Sequence, residues 1–352
     1  MLTNKKALSL KLAMVVVFSM MMVTGFGNSY VTLAHAEKTY KFTMQNMFSL
    51  NHPISVAIIK FAEDVEKQSN GRLVIQVLPS GALVNGPDIF ESVGTGSIDM
   101  GTTCSTYHAG ILPVAATAFA LPGDPRGVKE IMDFIYKDEV MTFLRDAYAT
   151  QKVFYGAPLV MDGYTIVSKE PINKWDDLKK LKVRASGSVA KVLQKMDIPT
   201  VFIPFSEIYV ALSRGTIDAE ISGNHAESYL GNTYEVAKFQ TIPYISGAQN
   251  CEVIANLDRF KELPEDLQAI FEKALRDSSA NVVELFDKEN KDVMEKLSAK
   301  GAQFIQLPED VMNRWRTTAI QMWDEEFTKD KLSAEYVALV KKDLKSLGYD
   351  LK

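Results

Sequence analysis

Two four-residue turns, Gly96-Ser97-Ile98-Asp99 and Gly215-Thr216-Ile217-Asp218, stand about 120 residues apart, and each joins a helical segment to a short strand-like run. In both, the glycine supplies the left-handed conformation that ends a helix, and the aspartate is placed to bond local backbone donors as the strand begins. The segments around them also match. The first half reads as strand Thr39–Met44, helix Pro53–Gln68, strand Leu73–Leu78, helix Pro87–Thr95 and strand Met100–Thr103. The second reads as strand Leu181–Ala185, helix Val189–Met196, strand Thr200–Ile203, helix Pro204–Ser213 and strand Ala219–Ser222. Alternating strand and helix predicts α/β layers with a largely parallel sheet, and the recurrence predicts two lobes of similar build. A length of 352 residues suits two such units at about 150 residues each.

The tail predicts something longer than a lobe. Pro264 sits at a first-turn position, with Glu265 and Asp266 where acids suit the helix dipole. Helical composition then runs to Lys300 and stops at Gly301. Leu267, Ile270, Phe271, Ala274, Leu275, Val282, Leu285, Phe286, Val293, Met294 and Leu297 mark its apolar stripe. At about 1.5 Å per residue this helix reaches roughly 55 Å, enough to span both lobes. A strand, Gln303–Leu307, and two amphipathic helices starting at Pro308 and Ser333 complete the chain.

Residues 1–36 read as an export signal. Lys5, Lys6 and Lys11 precede the apolar run Leu12–Phe26, and Ala34-His35-Ala36 has the small-x-small form of a signal-peptidase site. Cleavage after Ala36 removes three lysines and no acid, leaving 36 basic against 44 acidic residues and a net charge of −8. That balance argues against a nucleic-acid partner. A composition 47% hydrophobic and 24% charged excludes a disordered chain and a multi-span membrane protein. The expected product is a soluble periplasmic protein, not itself membrane-inserted. Cys104 and Cys251 are the only cysteines, and in that oxidising compartment they pair if geometry allows.

No catalytic constellation stands out. There is no G-x-S-x-G elbow, no P-loop and no dinucleotide loop, since Gly94-Thr95-Gly96 lacks its third glycine and precedes a strand. His225-Ala226-Glu227 has the H-x-E form of a zinc deaminase, but no C-x-x-C accompanies it. Four histidines, one of them in the signal segment, leave few ligands for a metal site. Neither a metal nor a cofactor is expected. Arg184 is the residue that asks for an explanation. It sits near the carboxyl end of a strand, where open α/β sheets place ligands. Burying a guanidinium there calls for an anion, either a ligand carboxylate or a structural Asp or Glu.

The segments Trp175-Asp176-Asp177-Leu178, Lys182-Val183-Arg184, Pro204-Phe205-Ser206-Glu207-Ile208-Tyr209-Val210-Ala211-Leu212 and Gly215-Thr216-Ile217-Asp218 resemble the DctP-type substrate-binding proteins of TRAP transporters. Tyr234-Glu235-Val236-Ala237-Lys238-Phe239 and the Gly71-Arg72 to Leu83 run are similar to further family motifs, so the likeness covers nearly all the mature chain. It implies an α/β, two-lobed periplasmic binding protein with a central cleft and a long helix spanning both lobes. Lobe I would take residues 37–158 and about 250–263, lobe II 159–249, the spanning helix 264–300, and the packing tail 301–352. It also implies crossing strands near Phe154–Leu159 and Cys251–Asn256, a small organic acid as ligand, delivery to a small and a large membrane subunit, and no catalysis.

Arg184 falls on the family arginine that holds the ligand carboxylate. The segments expected at the cleft add Ser105, Thr106, Tyr107 and His108 after the first lobe's strand. They add Tyr164, Phe205, Ser222, Asn224 and His225 from the second. The dicarboxylate members carry a second basic residue in the stretch that here reads Met161-Asp162-Gly163-Tyr164-Thr165, so a monocarboxylate is favoured: a 2-oxo, 2-hydroxy or aromatic acid. The rival readings are an ABC-type receptor and an exported α/β enzyme acting on a carboxylate.

Overall fold

A computed structural model describes residues 38–119 and 121–349, so the expected export signal and its cleavage site lie outside the described residues. The chain builds two sheets. The first holds β1 (Tyr40–Gln45), β2 (Leu73–Leu78), β3 (Met100–Cys104), β4 (Val153–Met161) and a strand from much later in the chain, in the order β2-β1-β3-late strand-β4. The second holds β5 (Val167–Ser168), β6 (Val183–Arg184), β7 (Thr200–Val201), β8 (Ala219–Glu220) and β9 (Phe239–Ile242). The late strand of the first sheet is β10 (Gln249–Asn256), and β11 (Gln303–Gln306) edges the second, in the order β11-β9-β5-β8-β6-β7.

The two halves correspond as the turns predict. β1 pairs parallel with β2 and β3, and β6 pairs parallel with β7 and β8. Gly96 and Gly215 have φ of +76° and +73°. Asp99 Oδ2 accepts the backbone N–H of Thr43 in β1 at 2.8 Å, and Asp218 Oδ2 accepts that of Lys182, just before β6, at 2.9 Å. Each aspartate thus ties its turn to the neighbouring strand of its own sheet. The expected helices Pro87–Thr95 and Pro204–Ser213 each begin as a single 3₁₀ turn, Gly86–Asp88 and Phe205–Glu207, before becoming α-helical. The second-lobe strands are shorter than expected, two residues each, because the chain leaves each sheet edge directly into a loop or helix.

Each sheet also takes an antiparallel insertion. β10 runs antiparallel between β3 and β4, and β5 runs antiparallel to β8 and β9. β4 and β10 are buried along their whole length, which explains their continuous apolar character. Both lie entirely in the first sheet. The passages between sheets fall just beyond them, at residues 162–166 and 243–248, a shift from the expected Phe154–Leu159 and Cys251–Asn256. Cys104 and Cys251 are directly opposite one another in the β3–β10 ladder and form a disulfide across 147 residues of sequence.

The long helix runs Glu265–Ala299, 35 residues. It buries Phe271, Leu275 and Val282 against the helix Pro53–Gln68 and β4 of the first lobe, and packs against the helix His225–Leu230 of the second. Met294 departs from the expected stripe: it is 40% exposed, on the outer side of the helix. No helix among the described residues is long and apolar enough to cross a membrane.

Candidate functional site

Arg184 ends β6 and is 3% exposed. Its Nε donates to the carbonyl of Ile203 at 2.8 Å, and its guanidinium carbon lies 6.0 Å from the centre of the Phe202 ring. Among the described residues it forms no ion pair. Arg126 shows the alternative that the sequence left open. Equally buried, it donates from Nε and Nη2 to Asp124 and from Nη1 to Asp343 at 2.7 Å, with its guanidinium over Phe134. One buried arginine is saturated by carboxylates; the other faces the cavity and has no carboxylate within ion-pair distance among the described residues.

That cavity lies between the lobes. From the first come Met47, Phe48, Thr106 and Tyr107; from the second come Tyr164, Arg184, Ser186, Phe205, Ser222 and Glu227. Gln249 and the Cys104–Cys251 bridge close it from β3 and β10. Arg184 is its single basic side chain. In this closed state the space open to a water-sized occupant is about 20 Å³, room for about one water. A small ligand alone suits it, and the lobes must part to load one. The closed arrangement is held directly: the N–H of Phe205 donates to the Tyr107 hydroxyl at 2.8 Å, and the left-handed Gly187 lies so close to Thr106 that a Cβ would fall 2.0 Å from its Oγ1.

The polar atoms inside are arranged for a guest. Thr106 Oγ1 is buried and has no hydrogen-bond partner, a costly state unless a ligand supplies one. Ser222 donates to Glu220, whose pKa burial raises while that hydrogen bond and Arg184 pull it back. Glu227 is pushed up to about 8, chiefly by burial, with the charge of Glu220 adding; the Asn224 N–H, Gln249 and Arg184 oppose. Burial likewise raises Tyr164 well above the usual phenol range, against the pull of Arg184.

Six residues named from sequence therefore line the cavity: Arg184, Tyr164, Tyr107, Thr106, Phe205 and Ser222. Four do not. Ser105 donates to Glu252 Oε2 at 2.6 Å, and His108 Nε2 lies 3.1 Å from Glu252 Oε1 with its ring stacked on Phe90. His225 bonds Gln240 at 2.9 Å, and burial lowers its pKa. Asn224 caps the helix His225–Leu230 by accepting the N–H of Glu227 at 3.0 Å. Conversely Glu227, Gln249, Ser186, Met47 and Phe48 line the cavity unannounced. Glu227 stood in the sequence only in the His225-Ala226-Glu227 run and in the Asn224-x-x-Glu227 capping-box spacing, which marks a helix start rather than a site.

Two lobes, chain passages between their sheets, and a cavity whose one basic side chain makes no ion pair are the features of a solute receptor. Residues 44–330 match the model of the bacterial extracellular solute-binding proteins, family 7, and the chain belongs to that family. A monocarboxylate 2-oxoacid-binding periplasmic protein of Nostoc sp. is 27% identical over 273 residues, covering 76% of this chain and 74% of that one. The C4-dicarboxylate-binding periplasmic protein of Rhodobacter capsulatus is 26% identical over 302 residues, covering 80% and 84%. A solved TRAP periplasmic solute-binding protein of Pseudoalteromonas atlantica, with bound sodium and pyruvate, superposes with a TM-score of 0.79 at 25% identity, over 88% of this chain and 95% of that one. The chain is thus a bacterial extracellular solute-binding protein, and these relatives are periplasmic receptors for organic acids, the solved one of TRAP type, rather than enzymes.

Proposed function

We propose that the ligand is a small monocarboxylate bearing a second polar or aromatic group, a 2-oxo, 2-hydroxy or compact aromatic acid. Its carboxylate is held by Arg184. The observation that carries this is the contrast between Arg126, saturated by Asp124 and Asp343, and Arg184, buried at the cavity wall with a single carbonyl for a partner. A planar fork in that state is matched by a carboxylate. A second carboxylate would meet Glu227 in the lining rather than a cation, which disfavours dicarboxylates. Thr106, Tyr164, Ser222 and Tyr107 supply the remaining polar contacts, and Phe205 supplies an apolar wall. The ligand leaves chemically unchanged.

The mature chain starts at Glu37, after cleavage behind Ala36, and the intact mass of protein recovered from the periplasm tests that. Calorimetry with pyruvate, one aromatic monoacid and succinate tests the ligand class. Either monoacid should bind at least about tenfold tighter than succinate, a difference of about 1.4 kcal/mol. Tightest binding of succinate overturns the reading.

A further inference from the structure

His52 and Glu227 approach each other across the cleft from opposite lobes, His52 at the start of the helix Pro53–Gln68 and Glu227 in the helix His225–Leu230. Their facing atoms, His52 Nε2 and Glu227 Oε1, are 3.9 Å apart, too far for a hydrogen bond, and both side chains are about 95% buried or more. His52 Nδ1 accepts the N–H of Ile54, so the proton of the neutral ring sits on Nε2, which has no partner. Glu227 Oε2 already accepts from the Asn224 N–H and from Gln249 Nε2, each at 3.2 Å. A proton on this carboxyl therefore belongs on Oε1. Two donors then stand 3.9 Å apart, a separation that an oxygen about 2.8 Å from each would bridge; Glu227 lines the cavity, and His52 stacks on its Phe48 wall with ring centres 4.1 Å apart.

We propose that Glu227 contacts the ligand as a neutral carboxylic acid and that, with His52, it clasps the ligand's second oxygen, so that closure around a 2-oxo acid requires a proton on Glu227. This deepens, and rests on, the reading of Arg184 as the carboxylate site. The local charges favour it. Arg184 and Glu227 line the cavity, and Glu220 is buried next to it, bonded by the lining Ser222; with the ligand these set three negative charges against one positive, which is untenable unless some are neutralised.

Glu227 is the group best placed to take the proton. Facing it are His52, Arg184, Glu220, Tyr164 and Tyr244, while on its own helix His225 is turned to Gln240. The long helix packed behind brings Lys296, 5.8 Å from the centre of the Tyr229 ring. Burial holds His52 down to about 3 and Tyr244 up, so neither changes charge in the neutral range. Glu227, held up to about 8, does. The protonated form binds, so affinity is full well below pH 8 and is lost as pH rises through it.

Calorimetry of pyruvate binding from pH 6 to 9.5, each point in two buffers of different ionisation enthalpy, tests this. In the native receptor affinity should fall by up to tenfold per pH unit above about 8, and binding there should take up close to one proton. Glu227→Gln keeps both the capping acceptor and a donor; it should bind pyruvate with a flat profile and no proton uptake. If native binding is flat and proton-neutral across the range, the inference falls while the Arg184 reading stands. It falls equally if added calcium restores native affinity at pH 9.5, because a cation then does the neutralising. If neither pyruvate nor lactate binds at pH 6, the ligand reading itself fails and takes this one with it. The native profile decides the matter even if the variant does not fold.

Discussion

The Tyr107 hydroxyl accepts the backbone N–H of Phe205 at 2.8 Å, so a side chain of the first lobe satisfies a main-chain group of the second, beside the cavity that both residues line. The bond exists only with the lobes together. Phe205 opens the 3₁₀ turn Phe205–Glu207, and in the parted state its N–H can return to water. Tyr107 is thus a latch whose strength biases open against closed.

Tyr107→Phe removes the acceptor and keeps the ring, including its edge contact with Phe202. With about 1 kcal/mol for a net hydrogen bond, pyruvate affinity should fall about fivefold, mostly through faster release. Stopped-flow fluorescence measures both rates. An unchanged dissociation rate removes the latch.

Gly187 tests closure from the other side. It has φ of +53° and lies where a Cβ would meet Thr106 Oγ1 at 2.0 Å and Thr106 Cβ at 3.0 Å. Gly187→Ala adds about 1 kcal/mol of left-handed strain, which the second lobe can absorb, and a clash that only parting the lobes relieves. Small-angle scattering should show the native radius of gyration shrinking with saturating pyruvate, while the variant's remains at the open value. Equal contraction in both would mean the helix Gly187–Lys195 shifts instead.

Features fixed by neighbouring residues were legible in the sequence. The Gly-x-Ile-Asp turns needed only a glycine, an aspartate and the strand beside them, and Arg184 needed only a charge at a strand's end. Site membership was harder where one turn divides its side chains. Ser105 and His108 are three apart in the 3₁₀ turn Ser105–His108, so they share a side and meet Glu252 inside the first lobe, while Thr106 and Tyr107 turn to the cavity. Glu227 stayed hidden for another reason. Its environment is made by His52, Arg184, Glu220 and Gln249, brought together only by the fold.

The two buried arginines give the sharpest prediction, because the same substitution should have opposite signatures. Arg126→Ala strands Asp124 and Asp343 in the interior, where Asp343 anchors the helix Lys331–Ser346 and keeps only Lys137 as a cation. Removing one partner of such a buried cluster costs about 3–5 kcal/mol, so denaturant unfolding should show a large loss of stability. Arg184→Ala breaks one bond to the Ile203 carbonyl and no ion pair, while the charge it removes is one that offsets the burial of Glu220 and Glu227. Its folded stability should change by about 1 kcal/mol or less. Pyruvate affinity should nevertheless drop by about 2–5 kcal/mol. Paired unfolding curves and calorimetry of the two variants read out both quantities. Loss of stability at Arg184 with affinity retained would make it a second structural arginine and leave the cavity without its anchor.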